Sequence, residues 1–409
     1  MRGKPWWLFA IGNVTGAALV AALFLWGPFV AEPELEPGEL VVLSGADDSS
    51  GGQRQALIEL WNKSHPRNQA RIEPIPRVAD EQLIEMMARA QDTETDIFNL
   101  DSTWTALFAH PPSGRPLIRP IDAGRLAVPP ERSFMKKPLE TCVYDGKLWA
   151  LPFNTDAGLL YYRADQGLKG PFTWADIKPR PGFEAAYTGQ LGDYEGLTVN
   201  ILEAVWAEGG DLTIDEGGTV TLDLAKWDAA VERLKPGPVV LRDSTTFEET
   251  GSRTAFADGR VLFMRNWPVA YRAMQSSDSP VPFAVDRLPG PSVLGGQNLA
   301  VSERSEQPRA AQALIEFLTS EPSQRTLFDP GGFAATRARV YEDETIKKRF
   351  PYAETLRAAV DSARLRPVSP YYVDFSEVLH TEVAKVLTGQ APQLPRNLAA
   401  QLSSALRGR

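Results

Sequence analysis

Cysteine is almost missing from this chain. The single Cys142 among 409 residues excludes an intrachain disulfide and any site built from several thiolates. Histidine is nearly as scarce: His65, His110 and His380 are far apart in sequence, and no His-Glu-x-x-His helix is present. A Gly-x-x-x-x-Gly-Lys phosphate loop and a Gly-x-Ser-x-Gly elbow are missing too, which removes the common signatures of ATP binding and serine hydrolysis. Positive charge is in deficit. With 43 Lys and Arg against 52 Asp and Glu, the formal net charge of −9 has the wrong sign for gripping a nucleic acid backbone or an anionic bilayer face.

Long uncharged apolar runs are absent as well, with one exception. Residues 5–31 contain no Asp, Glu, Lys or Arg over 27 positions, enough to span a bilayer. Arg2 and Lys4 precede the run, and Glu32, Glu34 and Glu36 follow it. That asymmetry predicts a single-pass anchor in the cell membrane with the N-terminus inside and the main body outside. A cleaved signal segment shares the layout: Ala31 offers a small residue before a cut, whereas Phe29 is bulky where the peptidase prefers a small one. No cysteine lies nearby, so lipid attachment through an N-terminal cysteine is excluded.

What is present suits a folded body. Hydrophobic residues make up 43% and charged residues 23%, and the length favours two lobes over one core. Residues 32–38 carry charge and proline and read as a spacer. Beyond it, apolar runs at 40–43, 72–75 and 96–100 predict strands. Between them, Leu57, Leu60 and Trp61, then Leu83, Met86, Met87 and Ala90, predict helix faces. This βαβαβ order predicts an open α/β sheet with its ligand site beyond the carboxyl ends of the strands. A crossing between lobes is expected near Asn154, and Gly295 to Asn298 is expected to precede a strand at 299–301 that returns the chain to the first lobe. An amphipathic helix is predicted over 309–319.

An aromatic residue beside an amide, acid or glycine recurs at the predicted loops. Asp101 lies near Trp104, Asn154 and Asp156 border Phe153 and Tyr161, and Asn266 precedes Trp267. Amides and carboxylates hold sugar hydroxyls while a flat ring covers a pyranose C–H face. Packing is the competing role for each aromatic, solvation for Arg366, and a solvated loop for Asp47 and Asp48. Cys142 reads as a small buried apolar group.

The order and spacing of several segments carry a resemblance. They are Asp96-Ile97-Phe98-Asn99-Leu100-Asp101-Ser102-Thr103-Trp104, Asp145-Gly146-Lys147-Leu148-Trp149-Ala150-Leu151-Pro152-Phe153-Asn154-Thr155-Asp156, and Tyr194-Glu195-Gly196-Leu197-Thr198-Val199-Asn200. Further on come Phe256-Ala257-Asp258-Gly259-Arg260, Gly295-Gly296-Gln297-Asn298-Leu299, and Arg366-Pro367-Val368-Ser369-Pro370-Tyr371-Tyr372. Together they resemble the family 1 extracellular solute-binding proteins of bacterial ABC importers, above all the trehalose and maltose branch. The resemblance implies an α/β, periplasmic-binding-protein-like type II fold with two mixed α/β lobes joined by a hinge. The first lobe would use 39–152 and 295–333, and the second 153–294 and 334–409. It implies ligand contacts from Asp101, Asn154, Asp156, Trp267, Gly295, Gly296 and Arg366, with Asp47, Asp48 and Tyr371 as rim candidates. No cofactor, metal or catalytic residue is implied. The expected ligand is an oligosaccharide, an α-linked disaccharide such as maltose or trehalose, and the expected partner an importer's permease pair.

Two features depart from the family pattern. The lipid-bearing cysteine of many members is missing, and the segments Ala46-Asp47-Asp48-Ser49-Ser50-Gly51-Gly52 and His110-Pro111-Pro112-Ser113-Gly114-Arg115 are unusual. A membrane-tethered sugar sensor or scaffold is therefore a second reading. A glycosidase using Asp101 with Asp156, or Asp47 with Asp48, is a third.

Overall fold

A computed structural model describes residues 35–45, 51–76, 79–275, 281–329 and 331–409. The anchor expected at 5–31 and the rim candidates Asp47 and Asp48 lie outside these residues. Among the described residues, no helix is long and apolar enough to cross a membrane.

Strands follow in the order β1 (Leu40–Gly45), β2 (Ala70–Ile75), β3 (Ile97–Asp101), the hairpin β4 (Val143–Tyr144) and β5 (Lys147–Leu148), then β6 (Leu151–Ala157) and β7 (Leu159–Arg163). After β8 (Ala185–Thr188) come the hairpin β9 (Leu212–Ile214) and β10 (Val220–Leu222), β11 (Val261–Asn266), β12 (Phe283–Arg287) and β13 (Leu294–Val301). One five-stranded sheet runs β2-β1-β3-β13-β6 and one four-stranded sheet runs β12-β7-β11-β8. In the first, β1 pairs parallel with β2 and β3, whereas β13 is antiparallel to β3 and β6. In the second, β11 is parallel to β8 and antiparallel to β7. Each sheet is therefore mixed.

The first parallel unit follows from its residues. Leu40, Val41, Val42 and Leu43 are all buried, as a strand covered on both faces requires. The helix Gln53–Ser64 buries Gln53, Arg54, Leu57, Ile58 and Trp61, positions i, i+1, i+4, i+5 and i+8. Leu60 does not join that stripe and is 53% exposed, contrary to the expected face, because 3.6-residue periodicity turns it away from Leu57 and Ile58. Cys142 is fully buried, and its thiol is raised by that burial.

Three segments run between or beside the two sheets. Strands β6 and β7 belong to different sheets and are separated by Gly158 alone, so the chain changes sheet there and not at Asn154, which lies inside β6. The return runs from the end of β12 to Leu294. Alongside it, the Arg364 N–H donates to the Ser292 carbonyl at 2.9 Å, and the Leu294 N–H donates to the Arg364 carbonyl at 2.8 Å. Glycine at 158 has a steric cause: a Cβ there would stand 2.5 Å from Glu203 Oε1 and 2.8 Å from Arg265 Nη2. Gly295 to Asn298 is not a lead-in loop but part of β13, which carries an irregularity between Gln297 and Asn298.

Candidate ligand-binding cleft

The carboxyl ends of β1, β3 and β6 lie on one edge of the first sheet, next to the start of the antiparallel β13. Facing them are the start of the helix Glu195–Ala207, the start of the helix Glu249–Ala257 and Trp267 just after β11. Between these groups lies a cleft of about 230 Å³ lined by Asp101, Asp156, Gly295, Gly296 and Gln297 from the first sheet. Its other lining residues are Tyr194, Glu195, Gly196, Val199, Glu248, Glu249, Trp267 and Arg366.

Asp101 is fixed by its own turn. Its Oδ1 accepts from the Thr103 N–H at 2.8 Å and the Thr103 hydroxyl at 2.7 Å. Below it, the Asn99 amide donates to Ser44 Oγ at 2.9 Å and to Gln297 Oε1 at 3.3 Å, and Arg54 Nη2 donates to Gln297 Oε1 at 2.9 Å. This polar layer orients Gln297 at the cleft floor.

Asp156 is the unusual acid. Burial, reinforced by the charge of Asp101, pushes its carboxyl up to about 7, against the pull of Arg265, Arg54 and Arg366. Asn154 stands behind it, 4% exposed and outside the cleft lining, with its Nδ2 3.4 Å from Asp156 Oδ2. The Asn154 Oδ1 is buried without a hydrogen-bond partner.

Arg366 reaches the cleft with most of its donors engaged. Its Nη1 donates to Glu195 Oε1 at 2.6 Å, and its Nη2 lies 3.3 Å from both Asp101 Oδ1 and Ser102 Oγ. Burial works against its charge, yet Asp101, Tyr372 and Glu195 outweigh it and hold the guanidinium raised. Glu195 also accepts from the Tyr372 hydroxyl at 2.5 Å and from the Ser376 hydroxyl. Arg366 thus ties an acid at the end of β3 to an acid at a helix start across the cleft.

Trp267 forms the aromatic wall. Its Nε1 donates to Glu249 Oε1 at 3.1 Å, and the Arg265 guanidinium carbon sits 3.8 Å from the ring centroid. A Cβ at Gly295 would lie 3.3 Å from the outer edge of that indole, and one at Gly296 would lie 2.3 Å from the Asn154 carbonyl. The glycine pair therefore lets β13 approach both the ring and β6.

Of the residues singled out from sequence, Asp101, Asp156, Trp267, Gly295, Gly296 and Arg366 line one cleft. Tyr371 does not: its ring packs where a Cβ of Gly408 would fall. Sequence reasoning missed Glu248 and Glu249, whose signal is an acidic pair opening a helix, and Arg54, which carries no local signature. Tyr194, Glu195 and Gln297 lay within quoted segments without an assigned role. Among the described residues no group of three or more His, Cys, Asp or Glu side chains is placed to hold a metal ion.

Two mixed sheets, chain segments passing between them and a polar-aromatic cleft define a receptor for a small solute. The chain belongs to the bacterial extracellular solute-binding proteins, whose family model matches residues 64–351. A probable ABC transporter-binding protein of Deinococcus radiodurans is 28% identical over 414 aligned positions, covering 92% of this chain and 96% of its own. Among solved structures, maltose-bound MalE3 of T. maritima is similar at a TM-score of 0.79 and 27% identity, over 90% of this chain and 99% of that one. The GacH receptor of Streptomyces glaucescens, solved unliganded and with acarbose, shares the fold at a TM-score of 0.77 and 22% identity, over 91% and 98% of the two chains. Membership makes this chain a solute-binding protein and not an enzyme.

Proposed function

We propose that the chain is an extracytoplasmic carbohydrate receptor that captures an oligosaccharide by hinge closure and delivers it to the permease subunits of an ABC importer. The observation that carries this reading is the pairing of Trp267 with hydrogen-bonding acids across one cleft. An indole beside Asp101, Asp156 and Glu249 suits a pyranose, whose C–H face stacks and whose hydroxyls donate to carboxylates. The similarity to a maltose-bound protein supports an α-linked disaccharide, with maltose placed before trehalose. In this reading the two sheets are the cores of two lobes, and Gly158, the 288–293 return and the Arg364 segment form the hinge. Ligand touching both walls favours the closed population. Residues 5–31 serve as export signal or tether.

Calorimetric titration of the protein with maltose, trehalose and maltotriose is the test. Saturable binding with the sugar recovered intact supports the proposal, and failure to bind any neutral mono- or oligosaccharide overturns it.

A further inference from the structure

Beneath Trp267 lies a buried ion pair that is almost wholly shielded from solvent and is not part of the cleft lining. Arg265 Nε donates to Glu203 Oε2 at 2.9 Å and Nη2 donates to Glu203 Oε1 at 2.8 Å, with side-chain exposures of only 1% and 7%. Arg265 Nη1 donates to Gln190 Oε1 at 3.1 Å, and Gln190 Nε2 returns a bond to the Arg265 carbonyl at 2.9 Å. The guanidinium is therefore fixed by a two-point fork and a side clamp, with its central carbon over the indole, 3.8 Å from the ring centroid.

The same pair meets two of the segments that pass between the sheets. Glu203 Oε1 accepts the Val293 N–H at 3.0 Å on the return segment, and Gly158 at the first crossing has room for a Cβ against neither partner. Trp267 is thus mounted on a group that also abuts both connections. Stability alone is a poor reason for such a pair, because desolvating two charges offsets most of their attraction and an apolar replacement of equal volume often folds as well.

We infer that Arg265, oriented by Glu203, is a positioning residue that sets the plane of Trp267 and couples the ring to the connecting segments. This assignment rests on the reading of Trp267 as a sugar-facing wall. Lysine in place of Arg265 keeps the charge but loses the fork and the flat face, so it separates positioning from charge.

The test incorporates 5-fluorotryptophan into the full chain, which has ten tryptophans, and identifies the Trp267 fluorine resonance as the one lost in Trp267→Phe. Arg265→Lys is expected to move that resonance while the others stay in place. It is also expected to weaken maltose binding about tenfold, a loss that shrinks to less than twofold in the Trp267→Ala background, where no ring is left to position. Glu203→Gln, which keeps the shape, is read in the same way if Arg265→Lys does not fold. An unmoved Trp267 resonance, or an equal affinity loss in both backgrounds, overturns the inference. A parent protein that binds no sugar defeats the carbohydrate reading, while the fluorine shift still decides the positioning claim on its own.

Discussion

The two walls of the cleft are built by different means. On the first-sheet side, Asp101, Asp156, Gly295 and Gly296 sit at or near strand ends, and backbone approach largely decides their places: β13 lies against β6, and the Thr103 N–H holds Asp101. Asn99 and Arg54 orient Gln297 within β13. On the opposite side, Glu195, Glu249 and Trp267 are held chiefly by other side chains: Tyr372, Ser376 and Arg366 fix Glu195, while Arg265 and Glu249 hold the indole. The first wall cannot change without disturbing the sheet, whereas the second can lose a side chain and keep its backbone. Substitutions on the first wall should therefore register chiefly as changed stability, in either direction, and those on the second as lost affinity.

Gly296→Val gives the largest expected effect. The residue has φ +117°, and its added Cβ would meet the Asn154 carbonyl at 2.3 Å and Thr155 Cα at 2.6 Å, both backbone atoms. Strained φ and displaced strand together should cost about 5 kcal/mol of folding free energy, read from the urea midpoint. A loss below about 1 kcal/mol would break the contrast.

Asp156 gives the next effect, through pH. An aspartic acid in an unfolded chain ionises near about 3.9, while here burial and Asp101 hold it up to about 7. Below pH 4 both states carry the proton and the residue costs nothing. Between those values the unfolded chain releases its proton first, so this residue lowers stability as pH rises, by about 3–4 kcal/mol once pH exceeds 7. Asp156→Asn should therefore raise stability over the parent at pH 8 and leave it nearly unchanged at pH 4. Parallel stability curves from pH 4 to 8 would refute the assignment.

The same contrast explains what could be read from the sequence. Strand runs such as 40–43 and 96–100 announce themselves by composition, so the βαβαβ order leading to Asp101 was accessible, whereas Asp156 was expected at a loop and lies inside β6. Periodicity failed at Leu60, because an apolar side chain at a neighbouring helical angle is compatible with more than one stripe until the partner surface is known. It also read Gly295 to Asn298 as loop, since glycines normally weaken a strand; here they are required by the closeness of β6 and Trp267. The second wall was harder. Glu195 meets Arg366 across 171 positions and Arg265 meets Glu203 across 62, and no local pattern announces such pairs. Arg366 looked like a free donor for a ligand because its two acid partners are invisible in its own segment.

The smallest expected effect is the most informative about function. Trp267→Ala removes a ring whose backbone is secured independently: its N–H donates to Asn266 Oδ1 at 2.8 Å, and its carbonyl accepts the Tyr161 hydroxyl at 2.8 Å. The fold should tolerate the loss, while maltose affinity should fall by about 1–3 kcal/mol, the worth of one aromatic face in a desolvated site. Trp267→Phe should recover part of that loss, because a smaller flat face remains but the donor to Glu249 does not. Full affinity in Trp267→Ala, measured by calorimetry at a pH where the parent binds, would mean that the acids alone hold the ligand and that the indole serves only to cover Arg265.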